Sequence, residues 1–144
     1  MVLNFDCFKD TLHFINEHIT IDAESKEMKP LKIKSIYNSN KLSNYSEVDI
    51  YYAICCLADI GYIVLQENLL KYKRQLIEVR NVTMAGQNFY YSTLEPTVWE
   101  SLKNKAKTLG DNALKFIGDT VQKCAVTATA TAATVVTNKL IDGQ

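Results

Sequence analysis

Apolar side chains recur at steps of three and four from Phe5 to Ile19, through Phe8, Leu12 and Ile15. That period turns one helix face toward a core, and Asp6 and Asp10 lie toward its start, as the helix dipole prefers. The pattern then breaks. Thr20 to Tyr45 is polar and irregular, and Asp22 to Lys29 alternates charges like a solvated loop. After Pro30, Leu31, Ile33 and Ile36 predict a short strand. Asn38 to Asn44 is turn chemistry and leaves room for one helical turn at most before Ser46. A second strong helix follows. Ser46 suits its N-cap, Glu47 and Asp49 its first turn, and Gly61 a left-handed C-terminal stop. Val48, Tyr51, Tyr52, Cys55 and Ala58, widened by Ile54 and Leu57, are expected to form its buried stripe.

Two β-rich runs come next, Tyr62 to Glu67 and Gln75 to Val82, joined by the basic turn-length segment Asn68 to Arg74. Two strands so close predict a hairpin, and the strand after Pro30 can complete its sheet. Thr83 can cap a helix through Phe89 and Tyr90 to about Thr93. Pro96 fits the first position of another, with the stripe Trp99, Leu102, Ala106 and Leu109, ending at Gly110. Asp111 is expected to cap a last helix carrying Leu114, Ile117, Val121 and Cys124. From Cys124 to Thr137 the chain has no charge, and Ala128 and Val135 lie in that run. Its fourteen residues fall short of the roughly twenty that span a bilayer as a helix. No membrane insertion is expected, and the segment is taken as a self-association surface.

Helix, short strand, helix and hairpin wing make an α+β fold of winged helix-turn-helix type. Three stretches carry a resemblance. Tyr52 to Ile63, with its Ala58-Asp59-Ile60-Gly61-Tyr62-Ile63 ending, resembles a helix-plus-strand pattern ending in Ala-Gly-Leu-Ile. Val82-Thr83-Met84-Ala85-Gly86-Gln87-Asn88-Phe89 resembles a Leu-Thr-x-x-Gly-His-x-Phe motif, and Val98 to Lys107 a Val-Trp-x-Lys-Val-Lys stretch. Together, over roughly residues 5 to 120, they resemble an uncharacterised family of bacteria and their phages, domain of unknown function 2513. The resemblance implies a winged-helix protein. Ala53 and Gln87 stand where the family pattern has histidine, so no imidazole chemistry at those positions carries over. The expected division is a winged-helix domain over 1–94 and a helical extension over 95–144, packed on that domain or on another subunit.

Charge and composition narrow the roles. Sixteen basic and sixteen acidic side chains cancel, which argues against a dedicated nucleic-acid coat and leaves room only for a local basic patch. The N-terminus has neither a basic nor a long apolar signal region, so a cytoplasmic location with reduced thiols is expected. Cys7, Cys55, Cys56 and Cys124 make no CxxC pair. No Cys, Asp or Glu stands around His13 and His18 with metal-ligand spacing. No phosphate loop, HExxH or GxSxG motif occurs. No catalytic residue, metal or cofactor is therefore expected, and the protein is read as a non-enzyme.

Two roles stay open. The protein can be a protein-interaction or self-assembling module. It would act through Tyr45, Tyr51 and Tyr52, and through a homo-oligomer surface on the C-terminal helix and tail at Val121, Cys124, Ala128 and Val135. Alternatively it is a transcriptional regulator gripping double-stranded DNA with Lys71, Lys73 and Arg74 of the wing and Lys32 and Lys34 before it. The helix at 46–60, without Lys or Arg, weighs against the second role.

Overall fold

Local chemistry sets the ends of the first long helix, α1 (Phe5–His18), whose Asn4 side chain caps it by accepting from the Cys7 amide at 3.1 Å. The computed structural model describes residues 2–67 and 77–126. It is α+β. The order is α1, β1 (Thr20–Ile21), β2 (Met28–Lys29), β3 (Leu31–Lys32), α2 (Ile33–Tyr37), a 3₁₀ turn at Asn40–Leu42 and α3 (Glu47–Asp59). Then come β4 (Ile63–Glu67), β5 (Ile77–Val82), α4 (Met84–Ser92), α5 (Pro96–Lys107), a second 3₁₀ turn at Gly110–Asn112, and α6 (Ala113–Val126). The chain separates into two compact units, divided between Gly86 and Gln87 inside α4.

In the first unit, α1 packs against α3. Phe8, Leu12 and Ile15 bury the α1 face, and Ile50, Ala53, Ile54 and Leu57 bury that of α3. A three-stranded antiparallel sheet in the order β3-β5-β4 completes the core with Ile63, Val79 and Val82. Leu31 pairs with Val79 and Lys32 with Glu78, so the short strand after Pro30 does join the hairpin sheet.

Three local expectations change. The strand after Pro30 stops at Lys32, and Ile33 to Tyr37 is helical, because Ile33 and Ile36, three residues apart, can both reach the core from one helix face. The helix before α3 therefore lies at 33–37, upstream of the turn-rich stretch. The loop over 20–29 is a small hairpin, β1 against β2. Its turn is tied by Asp22 Oδ1, which accepts the Glu24 and Ser25 amides at 2.8 and 3.3 Å. These two donors lower the Asp22 carboxyl pKa. Asp111 lies inside the second 3₁₀ turn, and α6 starts only at Ala113.

The α3–β4 corner closes as a paired C-terminal cap. Gly61 takes φ +79°, and the Gly61 and Tyr62 amides donate to the carbonyls of Ala58 and Leu57 at 3.1 and 2.9 Å. Thr83 caps α4 by accepting from the Gly86 amide at 3.2 Å, and its hydroxyl donates to the Gly61 carbonyl at 2.5 Å.

The second unit is helical. Pro96 opens α5, and α5 packs on α6. Val98, Trp99, Leu102, Ala106, Ile117 and Val121 are buried, with Phe89 of α4. The Phe89 and Trp99 rings meet edge to face, centroids 5.9 Å apart at 80°.

His13 on α1 gives the first unit a pH response. Burial, helped by the Lys9 ammonium, pushes its pKa from 6.5 down to about 4, against the weaker pull of Glu17 and Asp10. The unfolded chain takes up this proton near 6.5 and the folded one only near 4. The stability that depends on neutral His13 is complete above about pH 6.5 and drains away as pH falls toward 4. His13→Gln should flatten that limb of a stability–pH curve measured by urea unfolding.

Candidate functional site

Helix α3 carries the tyrosines expected to form an interaction surface, but its buried face is only partly the expected one. The aliphatic set Ile50, Ala53, Ile54 and Leu57 points inward. Val48 is 62% exposed and Tyr51 42% exposed, while Tyr52, Cys55 and Ala58 are half-buried. Of the expected stripe, Ile54 and Leu57 are buried, whereas Val48, Tyr51, Tyr52, Cys55 and Ala58 lie toward the outer side. Both sets have three- and four-residue spacing, and the purely hydrocarbon one loses more by staying in water. Tyrosines tolerate the boundary because the ring is apolar and the hydroxyl polar.

Both ends of the face are fixed. Ser46 Oγ accepts the Asp49 amide at 3.1 Å, and the Gly61 cap ends the helix. Glu47 and Asp59, at opposite ends, are exposed. Tyr37 of α2 stands near Glu47, Tyr51 and Cys55. Burial, reinforced by these three, pushes its phenol up to about 12. The Tyr52 phenol is raised as well, first by Cys56, with which it shares a hydrogen bond, and then by desolvation. Burial in turn raises the Cys56 thiol. Tyr45 is half-buried rather than free. Its hydroxyl donates to Asp10 Oδ2 at 2.6 Å, tying the segment before α3 to α1. Burial and that carboxylate hold its phenol well above the ordinary value.

The family described as "Hypothetical protein (DUF2513)" matches residues 3–112. The chain belongs to this family. The matched span holds every element from α1 through α5, so the α3 face lies inside the DUF2513 region, while α6 lies beyond it. No curated protein and no solved structure matches the chain. Within the DUF2513 region, the Val82–Phe89 motif holds the Thr83 cap of α4, Gly86, where an added β-carbon would meet the Tyr62 carbonyl, and the buried Phe89.

The remaining sequence-picked residues of this DUF2513 member scatter. Lys32 and Lys34 are exposed on β3 and α2. Lys32 pairs in register with Glu78, whose carboxylate accepts from Gln66 Nε2 at 3.1 Å. Lys71, Lys73, Arg74, Ala128 and Val135 fall outside the described residues. Val121 is buried in the second unit, because the α6 stripe that carries it faces α5. Cys124 lies near the end of α6.

One cation escaped the sequence analysis. Val64 pairs with Asn81 and Leu65 with Val79, which leaves Arg80 as the extra residue of a bulge. Arg80 is exposed beside a groove of about 550 Å³ lined also by Glu27, Val64, Gln66 and Asn81. The signal was present: inward positions run Ile77, Val79 and then Val82, a change of parity that a regular strand does not make.

Cys7 is fully buried. Desolvation carries its thiol up to about 11 despite a 3.7 Å contact with the Thr11 hydroxyl. A thiol so raised stays protonated at neutral pH and is a poor nucleophile. Among the described residues no three His, Cys, Asp or Glu side chains are grouped to hold a metal, and no helix is long and apolar enough to cross a membrane.

Proposed function

We propose that this DUF2513 member is a cytoplasmic winged-helix protein of bacterial or phage origin. It acts without catalysis as a protein-interaction module that also self-associates. The winged-helix part rests on the order α1, β3, α2, α3, β4, β5. The first of these strands pairs with the last, and the last two strands follow α3 directly. Self-association is assigned to the uncharged residues that follow α6, because the Val121 stripe of α6 itself is covered by α5.

The observation that carries the interaction reading is the outer face of α3. In a DNA-reading winged helix that face enters the major groove and meets bases through Arg, Lys, Asn or Gln. Here it offers Val48, Tyr51 and Tyr52 between Glu47 and Asp59, and α3 has no cation at all. Phosphates would repel such a helix. Duplex binding keeps two arguments: Lys71, Lys73 and Arg74, which lie outside the described residues, and the exposed Lys32 and Lys34, of which Lys32 faces Glu78 across the sheet.

Fluorescence anisotropy against mixed duplex fragments, at low and moderate salt, with light scattering on the same sample, separates the roles. The expected result is no salt-dependent duplex binding and a mass above that of one chain. Salt-sensitive binding of duplex by a dimer would replace this reading with that of a transcriptional regulator.

A further inference from the structure

We infer that the outer face of α3 is a docking surface for a cationic, amphipathic helical segment of another protein. This rests on the interaction reading above and names its partner's chemistry. The face has the parts such a segment needs. Val48, Tyr52 and Cys55 follow one another at steps of four and three, and Tyr51 lies beside them. Together they form an apolar ridge parallel to the helix axis. Val48 and Tyr51 are both exposed large apolar side chains. A second helix laid along such a ridge inserts its own three- and four-residue stripe between these side chains.

Charge then chooses the partner. The charged residues of α3 are Glu47, Asp49 and Asp59, all negative. Glu47 and Asp59 close the ridge at its two ends, separated by about 18 Å at 1.5 Å per residue. Neither forms an ion pair among the described residues. A docked helix of about three turns with Lys or Arg near both ends would neutralise both carboxylates while its apolar stripe covers Tyr51. An acidic segment, a duplex or an anionic lipid surface would place like charge against them.

The face is also built to receive a partner without rearranging. Its inner side is packed on α1, Tyr37 backs one flank, and the Ser46 and Gly61 caps fix both ends. A surface already rigid keeps the ordering cost of binding low.

The test uses the full chain and two labelled helical probes, one of leucine and lysine, the other of leucine and glutamate, followed by anisotropy. The lysine probe is expected to bind and to weaken as salt rises. Tyr51→Ala should weaken it at least about tenfold, as for a central aromatic anchor. Glu47→Gln with Asp59→Asn should weaken it several-fold and flatten the salt dependence. Glu95→Gln, an exposed carboxylate in the second unit, should change nothing. Circular dichroism checks that each variant keeps its helix content, as outward-facing substitutions should. Failure of the lysine probe to bind, binding indifferent to Tyr51→Ala, or a glutamate probe that Tyr51→Ala weakens would each overturn the inference. Two failures differ in kind. Duplex binding lost in Tyr51→Ala would remove the interaction reading and this inference together. Neither duplex nor lysine-probe binding would remove only the partner's chemistry.

Discussion

Replacing Gly86 by alanine should cost the protein about 3 kcal/mol, the upper end of what an extra methyl costs in a full site. The position is helical, in the first turns of α4, where alanine would ordinarily be the better residue by about 1 kcal/mol. The surroundings reverse that sign. A β-carbon on Gly86 would overlap the Tyr62 carbonyl oxygen and stand 2.7 Å from Val82 Cγ1. The carbonyl is backbone and cannot swing aside, because it accepts the Thr83 amide at 2.9 Å and belongs to the corner that the Thr83 hydroxyl ties to Gly61. Relief requires moving the start of α4 away from the β4–β5 hairpin. Urea unfolding followed by circular dichroism measures the change. A stabilised Gly86→Ala protein would mean that the helix start shifts freely and that the junction is not tightly set.

How far the sequence reached follows from which features are local. Ser46, Gly61, Thr83 and Pro96 mark helix ends through chemistry within a few residues, and each stands at the boundary that chemistry predicts. The hairpin and its third strand were legible for the same reason. The facing of α3 was not. Its sequence is apolar nearly all round, so Val48–Tyr52–Cys55 and Ile50–Ala53–Ile54–Leu57 both satisfy a helical period. The choice between them is made by α1 and the sheet, which no window inside α3 contains. Ile33 and Ile36 misled in the same way. After Leu31 they fit a strand by alternation and a helix by their spacing of three, and only the core they enter decides.

For the candidate site this has a direct consequence. The residues Tyr51 and Tyr52 were legible as a feature, because an acidic, aromatic helix without cations is unusual in a DNA reader. The exposure of Tyr51, and the half-burial of Tyr52, were legible only from the fold. Arg80 shows the reverse case: its bulge is written in the parity of Ile77, Val79 and Val82, yet a strand read by composition alone hides it. Charge tells little either way, since a zero net charge is compatible with an acidic α3 and an exposed basic stretch through Lys26, Lys29, Lys32 and Lys34.

Phe89→Ala should destabilise the second unit by about 3–5 kcal/mol, the range for truncating a buried aromatic. Phe89 is fully buried, and its ring meets Trp99 edge to face. An aromatic pair so arranged adds about 0.5–1.5 kcal/mol beyond the area it buries. The cavity has little means of collapsing. On α4, the Thr93 hydroxyl donates to the Phe89 carbonyl at 2.7 Å and holds the helix backbone in place, while the Trp99 side of α5 is anchored by Val98, Leu102 and Ala106. Trp99 is the only tryptophan, so its emission reports the event from within the affected core. The expected result is a lower urea midpoint by fluorescence and a red-shifted native spectrum, as water gains access to the indole edge. Phe89→Leu, which keeps most of the volume but loses the ring pair, should fall between the two. A Phe89→Ala protein with an unchanged midpoint would show that Trp99 and the α5–α6 side chains hold the second unit together without α4.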